Sequence, residues 1–263
     1  MKPVWRVTAA PRTGDDGDAA AARVASQLGL RQVRRGNQSL ASLTRVHGAG
    51  GWLVVHPRTG LHAMTPEGTV WRWHPGLART RVAARAANLP DPLLQALALP
   101  RTRPFRLLDA NLGQGHDAMV AGDGGAEVVG LEVDPIVHAI TTDGLARCDH
   151  PVLAAGAARV QTRLGDQAAV LAELADNSFD AVLFSPMYLE PEFHAEDLVP
   201  LRQVAAQGWP SEATFQHALR VAPLVVVKVE PNRHPPLPQV ARWIGGRRRV
   251  AWAILASLPA SLR

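Results

Sequence analysis

The chain has 263 residues, enough for one large domain or two small ones. Apolar residues make up 47% and charged residues 19%, with 22 Gly and 21 Pro, a globular profile that excludes coiled coil, collagen and wholesale disorder. The net charge of +5 divides into a basic stretch 1–104 (15 Lys/Arg against 5 Asp/Glu), an acidic centre 105–225 (6 against 17) and a basic tail 226–263 (7 against 1). That division suggests a polyanion-facing surface beside a separate reaction chamber.

Residues 4 to 10 read as a short strand, Asp16 to Leu28 as a helix with Ala21, Val24, Ala25 and Leu28 on one face, and Ser39 to Val46 as a second helix. Gly51 to His56, Leu61 to Thr65 and Thr69 to Trp73 are strand-sized and separated by turn compositions, which predicts a meander. Trp71 and Trp73 share one side of the last strand and read as core. A basic helix from Pro75 to Ala87 follows, and its Arg79, Arg81 and Arg85 are phosphate-contact candidates by charge, as is Arg247-Arg248-Arg249. Pro90, Pro92, Pro100 and Pro104 punctuate a linker-like stretch. The predicted organisation is therefore a small basic α+β domain over 1–104, suited to an RNA substrate, and a second domain over 105–263.

From Phe105 the pattern changes to alternating strands and helices, the mark of an α/β domain with a parallel sheet. Strand-like runs cover Phe105 to Ala110, Glu127 to Glu132, Arg159 to Leu164, Phe179 to Ser185 and Leu224 to Val229. The first three gaps each have room for a crossover helix, and the fourth is long enough for a substrate-facing insertion as well. A last apolar run, Val250 to Leu258, is expected as an edge strand.

The most informative segment is Asp109-Ala110-Asn111-Leu112-Gly113-Gln114-Gly115-His116-Asp117-Ala118, a buried strand ending in a carboxylate, a glycine turn and a helix start. Glycines there let a ligand approach the backbone beyond the carboxyl ends of the strands. Gly113 to Ala118 also satisfies the G-x-G-x-x-A dinucleotide pattern. Asp109 before the glycines, and Asp117 in the first helical turn, would repel a pyrophosphate and welcome a sulfonium and ammonium. Glu132 ends the second strand, where a carboxylate accepts from ribose hydroxyls, and Asp166 ends the third, where it can accept from an adenine amino group.

Ser185-Pro186-Met187-Tyr188 closes the fourth strand and contains the single tyrosine. An exocyclic amine on a base is a poor nucleophile because its lone pair is delocalised into the ring. Ser185 Oγ and a backbone carbonyl of Ser185 or Pro186 can accept its hydrogens and steer the lone pair, while Tyr188 stacks on the base. Lys228, one of two lysines against 26 arginines, marks the fifth strand as a place needing a compact positive charge. No metal is expected: Cys148 is the single cysteine and the ten histidines contain no His-x-x-x-His pair. The lone cysteine and the lack of a long apolar run predict a cytoplasmic protein with no membrane segment. On these residues alone, an NAD-dependent oxidoreductase and an RNA-binding protein without chemistry remain alternatives.

The Asp109 to Ala118 segment, Val129-Gly130-Leu131-Glu132, and Asn177-Ser178-Phe179-Asp180-Ala181-Val182 leading into Ser185-Pro186-Met187-Tyr188 resemble class I S-adenosylmethionine-dependent methyltransferases. More narrowly they are similar to the RsmJ-like family and its YpiP-type relatives. The resemblance implies a seven-stranded Rossmann-like sheet and S-adenosylmethionine (SAM) as cofactor, held by Asp109, Ala110, Asn111, Gly113, Gly115, Asp117, Glu132, Asp134 and Asp166. It implies catalysis by Ser185, Pro186, Met187, Tyr188 and Lys228. It also implies ribosomal or other structured RNA as partner, with guanine N2 of small-subunit ribosomal RNA as the methylated atom in the RsmJ branch. Two departures stand out: Ser185 and Tyr188 where the family usually has Asp-Pro-Met-Phe, and Asn111 in place of threonine. One clear strand follows Lys228, which predicts a reduced terminal hairpin.

Overall fold

The structure, a computed structural model, describes residues 4–65, 68–186, 208–230, 234–245 and 250–255. They form two compact units: 4–65, 68–74 and 135–147 in the first, the remaining described residues in the second.

The first unit is built on β1 (Trp5–Ala9), α1 (Gly14–Leu28), β2 (Arg31–Gln32), α2 (Leu40–His47), β3 (Gly51–His56), β4 (Gly60–Met64) and β5 (Val70–Arg72). Its sheet has the order β2-β1-β3-β4-β5; β1 is parallel to β2 and β3, and β3, β4 and β5 form the expected antiparallel meander. Asp15 and Asp16 in the first turn of α1 complement its dipole, and the helix ends at Gly29 in the left-handed region. Small residues Gly17, Ala21 and Ala25 let α1 lie close on the sheet. Ser39 caps α2 by accepting the Ser42 N–H at 3.1 Å. A later helix, Pro135–Ala146, covers β4. Its Gly144 is required by packing, because an added Cβ would lie 2.2 Å from the indole of Trp73. Trp71 is buried, as its position predicts.

The second unit contains α3 (Gly76–Ala86), α4 (Pro92–Leu97), β6 (Phe105–Asp109), α5 (His116–Asp123) and β7 (Ala126–Glu132). After α6, the helix Pro135–Ala146 already placed in the first unit, it continues with α7 (Ala154–Ala157), β8 (Val160–Leu164), α8 (Gln167–Glu173) and β9 (Ala181–Phe184). It ends with α9 (Glu212–Val221), β10 (Leu224–Val229), β11 (Val240–Gly245) and β12 (Ala251–Leu255). The seven strands are ordered β8-β7-β6-β9-β10-β12-β11. The first five are parallel neighbours, and β12 runs antiparallel to both β10 and β11. Strand order reverses at β6, which opens a crevice beside β9 at the carboxyl edge.

The structure departs from the sequence expectations in three places. Residues 75–104 group with the seven-stranded sheet, so the division of the described residues falls at His74/Pro75 rather than near 104. The proline-rich stretch contains α4, whose Leu93, Leu94, Ala96 and Leu97 are buried; Asp91 caps it by accepting from the N–H groups of Leu93 and Leu94, with Pro92 in the first turn. The terminal hairpin is complete, not reduced, and β12 is an interior strand while β11 forms the edge. Val240–Gly245 escapes the sequence pattern because an edge strand exposes most of its side chains, here all but the half-buried Val240 and the buried Ile244.

The sheet's core holds Leu108, Val182, Phe184, Val225, Val227 and Ala253, with the rings of Phe184 and Phe215 edge to face at 5.1 Å. Phe184 immediately precedes the predicted catalytic segment. Phe184→Ala is expected to destabilise the protein by about 3–5 kcal/mol, read as a lower urea midpoint at unchanged slope.

Candidate active site

At the carboxyl ends of β6, β7, β8 and β9 several of the predicted residues are held by short hydrogen-bond groups. Asp109, at the end of β6, is 1% exposed, and its Oδ1 accepts the N–H of Asn111 at 3.1 Å. Ala110 is buried and its N–H donates to the carbonyl of Leu183 on β9. Asn111 Nδ2 donates to Gln167 Oε1 at 3.0 Å, and the Asn111 carbonyl accepts from Ser185 Oγ at 3.2 Å. One short loop thus spans β8, β6 and β9.

Gly113 sits at φ +50° and Gly115 at φ +73°, left-handed conformations that favour glycine. A Cβ added at Gly113 would point into open space, so its constraint is the backbone turn itself. The Gly113 N–H donates to Glu132 Oε2 at 3.1 Å, and the Asp134 N–H donates to Glu132 Oε1 at 2.9 Å. The carboxylate at the end of β7 therefore ties the glycine turn to the strand next door. Asp166 is exposed and caps α8, its Oδ1 accepting the N–H groups of Ala168 and Ala169.

Burial is the largest influence on Asp109, pushing its pKa up to about 7; the negative charge of Asp117 adds to the rise, and the Asn111 N–H and Lys228 oppose it. Glu132 is also raised by burial, against the lowering effect of the Asp134 and Gly113 N–H donors. Asp117 goes the other way. Burial alone would raise it, but Lys228 and Arg81 outweigh that and hold it well below the usual carboxylate range.

Asp117 and Lys228, expected as a cofactor contact and a catalytic group, turn out to be each other's partners. Lys228 Nζ lies 2.8 Å from Asp117 Oδ2, Arg81 binds Asp117 Oδ1, and Arg81 also forks onto Asp91 at 2.7 and 2.8 Å. The compact charge inferred at Lys228 is a counter-ion for a buried helix-start carboxylate. Arg85 is likewise bound to Asp123, through its side chain at 2.8 Å and its carbonyl at 2.9 Å. Arg81 and Arg85 are thus withdrawn from the phosphate-contact role, because the 3.6-residue period turns them onto α5; Arg79 remains exposed. Sequence reasoning missed Gln167, Arg81 and Asp91 as site partners, although Asp91 before Pro92 is a readable cap signal. Met187, Tyr188 and Arg247-Arg248-Arg249 lie outside the described residues.

Two buried acceptors, Asp109 Oδ2 and Asn111 Oδ1, have no hydrogen-bond partner among the described residues. Orphaned acceptors of this kind are costly unless a ligand supplies donors. A ligand bearing an ammonium, a sulfonium and ribose hydroxyls fits this donor-poor, acidic edge, whereas a pyrophosphate does not. Among the described residues no group of three metal-ligating side chains occurs, and no helix is long and apolar enough to cross a membrane.

A parallel sheet with its sixth and seventh strands as an antiparallel hairpin, and an acidic glycine loop at the switch point, defines a class I SAM-dependent methyltransferase. The SAM-dependent methyltransferase family model (SAM_MT) matches residues 75–245, and the chain belongs to that family. It is 28% identical to protein YpiP of Bacillus subtilis over 239 residues, covering 89% of this chain and 91% of YpiP. It is 35% identical to ribosomal RNA small subunit methyltransferase J of Alkalilimnicola ehrlichii over 167 residues, 58% of this chain and 61% of that protein. A solved SAM-dependent methyltransferase of Neisseria gonorrhoeae shares the fold, with a TM-score of 0.65 and 19% identity over 98% of this chain and 99% of that one. SAM is therefore the cofactor, and the NAD-dependent alternative is set aside.

Proposed function

We propose that the chain methylates an exocyclic nitrogen of a nucleobase in RNA, with guanine N2 of small-subunit ribosomal RNA as the specific target and the cytoplasm as its setting. The RNA part is supported by the relatives named for ribosomal RNA methylation. The observation that carries the chemistry is the hydrogen bond from Ser185 Oγ to the Asn111 carbonyl. With its proton committed to that carbonyl, the hydroxyl oxygen has its lone pairs left to accept from an amine.

When bound, SAM supplies an electrophilic methyl on a sulfonium. Asp109 and Asn111 would hold the cofactor's cationic end, Glu132 its ribose, and Asp166 its adenine, with the Gly113 to Gly115 turn and Ala110 shaping the floor. Asp134 positions Glu132 through its N–H. Ser185 and the Pro186 carbonyl would take the amine hydrogens and so steer the nitrogen lone pair toward the electrophile, while the parts expected of Met187 and Tyr188 fall on residues outside the described ones. Methyl transfer would form the N–C bond as the sulfonium S–C bond breaks, and the nitrogen would release one proton to water. Asp117 and Lys228 serve as a positioning pair behind this edge.

Ser185→Ala is expected to lower turnover by about 10²-fold with SAM affinity unchanged. Methyl transfer from isotopically labelled SAM to total RNA, followed by nucleoside mass spectrometry, reads both the activity and the modified base. Equal turnover in the variant removes Ser185 from the mechanism, and RNA left unlabelled by the wild-type protein refutes the substrate.

A further inference from the structure

The five-stranded sheet of the first unit is closed on one face and half open on the other. Directly paired residues share a face, so Val7, Leu53, Val55, Leu61 and Ala63 all point toward α1 and α6, where they are buried. On the opposite face α2 seats Leu40 and Leu43 over Trp52 and Val54, and Trp52 Nε1 donates to Thr44 Oγ1 at 2.8 Å. Past that helix the face continues onto β4 and β5. The register sets His62 opposite Arg72, and Met64 opposite Val70. Arg72 is exposed and Val70 is 46% exposed.

His56, at the end of β3, brings a second imidazole to this open end. The His56 and His62 rings stack with centroids 6.0 Å apart and planes 13° from parallel. Both are held in place: His56 Nδ1 accepts the N–H groups of Arg58 and Thr59 at 3.2 Å, and His62 Nε2 pairs with Thr59 Oγ1 at 3.1 Å. Burial first, and then the charges of His56 and Arg72, hold His62 below the ordinary imidazole range, while the Thr59 bond and Asp143 pull the other way. The stacked imidazole rings have the Arg72 guanidinium as a charged neighbour, and Arg58, whose N–H donates to His56, is exposed on the turn that follows β3. Strands β3, β4 and β5 and helix α2 contain no carboxylate.

We propose that this open end of the sheet binds single-stranded RNA, with an unpaired base stacked on the His56–His62 platform and adjacent phosphates meeting Arg58 and Arg72. Unstacked bases are recognised by such histidine and arginine planes on an exposed sheet face, and the phosphates give the contact its salt dependence. An acidic protein segment would satisfy the arginines but leave the stacked rings unused. The inference rests on RNA being the substrate.

Fluorescence anisotropy with a labelled mixed-sequence single-stranded oligoribonucleotide tests it, across a salt series. The double variant His62→Gln, Arg72→Gln is expected to weaken binding by roughly 5- to 100-fold and to reduce the slope of log affinity against log salt by about 1. SAM affinity by calorimetry stays unchanged. His62→Gln alone keeps the salt slope and still loses affinity, which separates stacking from charge. Should the double variant melt early, Arg58→Gln, Arg72→Gln at exposed positions replaces it, with the slope expected to fall by about 1.4. A folded variant with wild-type affinity and slope, in a protein that does methylate RNA, overturns this surface alone. A wild-type protein that neither binds nor methylates RNA overturns the substrate reading and this surface together.

Discussion

Asp109→Asn is expected to weaken SAM binding by about 2–5 kcal/mol, the loss typical of removing one member of a buried charge pair, and to abolish the pH dependence of that binding. In the ligand-free protein burial and the neighbouring Asp117 push the Asp109 carboxyl up to about 7. A bound cation favours the carboxylate, so binding below that pH must expel a proton. Affinity should therefore climb by up to about tenfold per pH unit from acid conditions toward neutrality and level off above about 7. The stability of the ligand-free protein runs in the opposite sense. A carboxyl whose folded pKa exceeds its unfolded value of about 3.9 takes up a proton on folding. Its contribution is present in full below that unfolded value and is lost as pH rises through about 7. Calorimetric titration in buffers of different ionisation enthalpy measures the proton release directly. A wild-type affinity that is flat with pH would remove Asp109 from cofactor binding.

Lys228→Met carries the second large effect. It leaves Asp117 buried with Arg81 as its remaining counter-ion, and Arg81 is already shared with Asp91. The expected cost is about 3 kcal/mol of stability, read from the urea midpoint. Lys228 also lowers the pKa of Asp109, so its removal should shift the pH profile of SAM binding upward. That shift distinguishes a positioning charge from a group that acts on the substrate. A variant with unchanged stability and an unmoved profile contradicts the network. Because Asp117 is held well below the usual carboxylate range, its contribution is present above its unfolded pKa and fades as pH falls through the lower folded value.

Periodicity and apolar runs make most of the fold legible. The strands β6, β7, β9 and β10 are covered on both faces, so they appear as near-continuous apolar segments such as Val225-Val226-Val227. Strand β11 lies at the edge and alternates only weakly, and β2 has two residues, so neither has a readable signature. Helix α4 is hidden among prolines, although Asp91-Pro92 marks its start.

In the site, the acids at strand ends and the glycine turn are readable because each occupies a fixed place relative to a predicted strand. Their partners are not, because hydrogen bonds such as Asn111 to Gln167 join residues 56 apart in the chain. The charge map shows the same contrast. The basic 1–104 stretch reads as one polyanion-facing surface, yet Arg81 and Arg85 are spent on Asp91, Asp117 and Asp123.

Composition, local pattern and motif order are sufficient for the class of fold, the strand ends that bear carboxylates and the cofactor, since those depend on period and on position along one strand. Three-dimensional packing is needed to assign Lys228 to Asp117, to free the Ser185 oxygen as an acceptor, and to set His56, His62 and Arg72 side by side on an open sheet face. These depend on which distant side chain arrives at contact distance, and a charge or a ring has no fixed role until its neighbour is known.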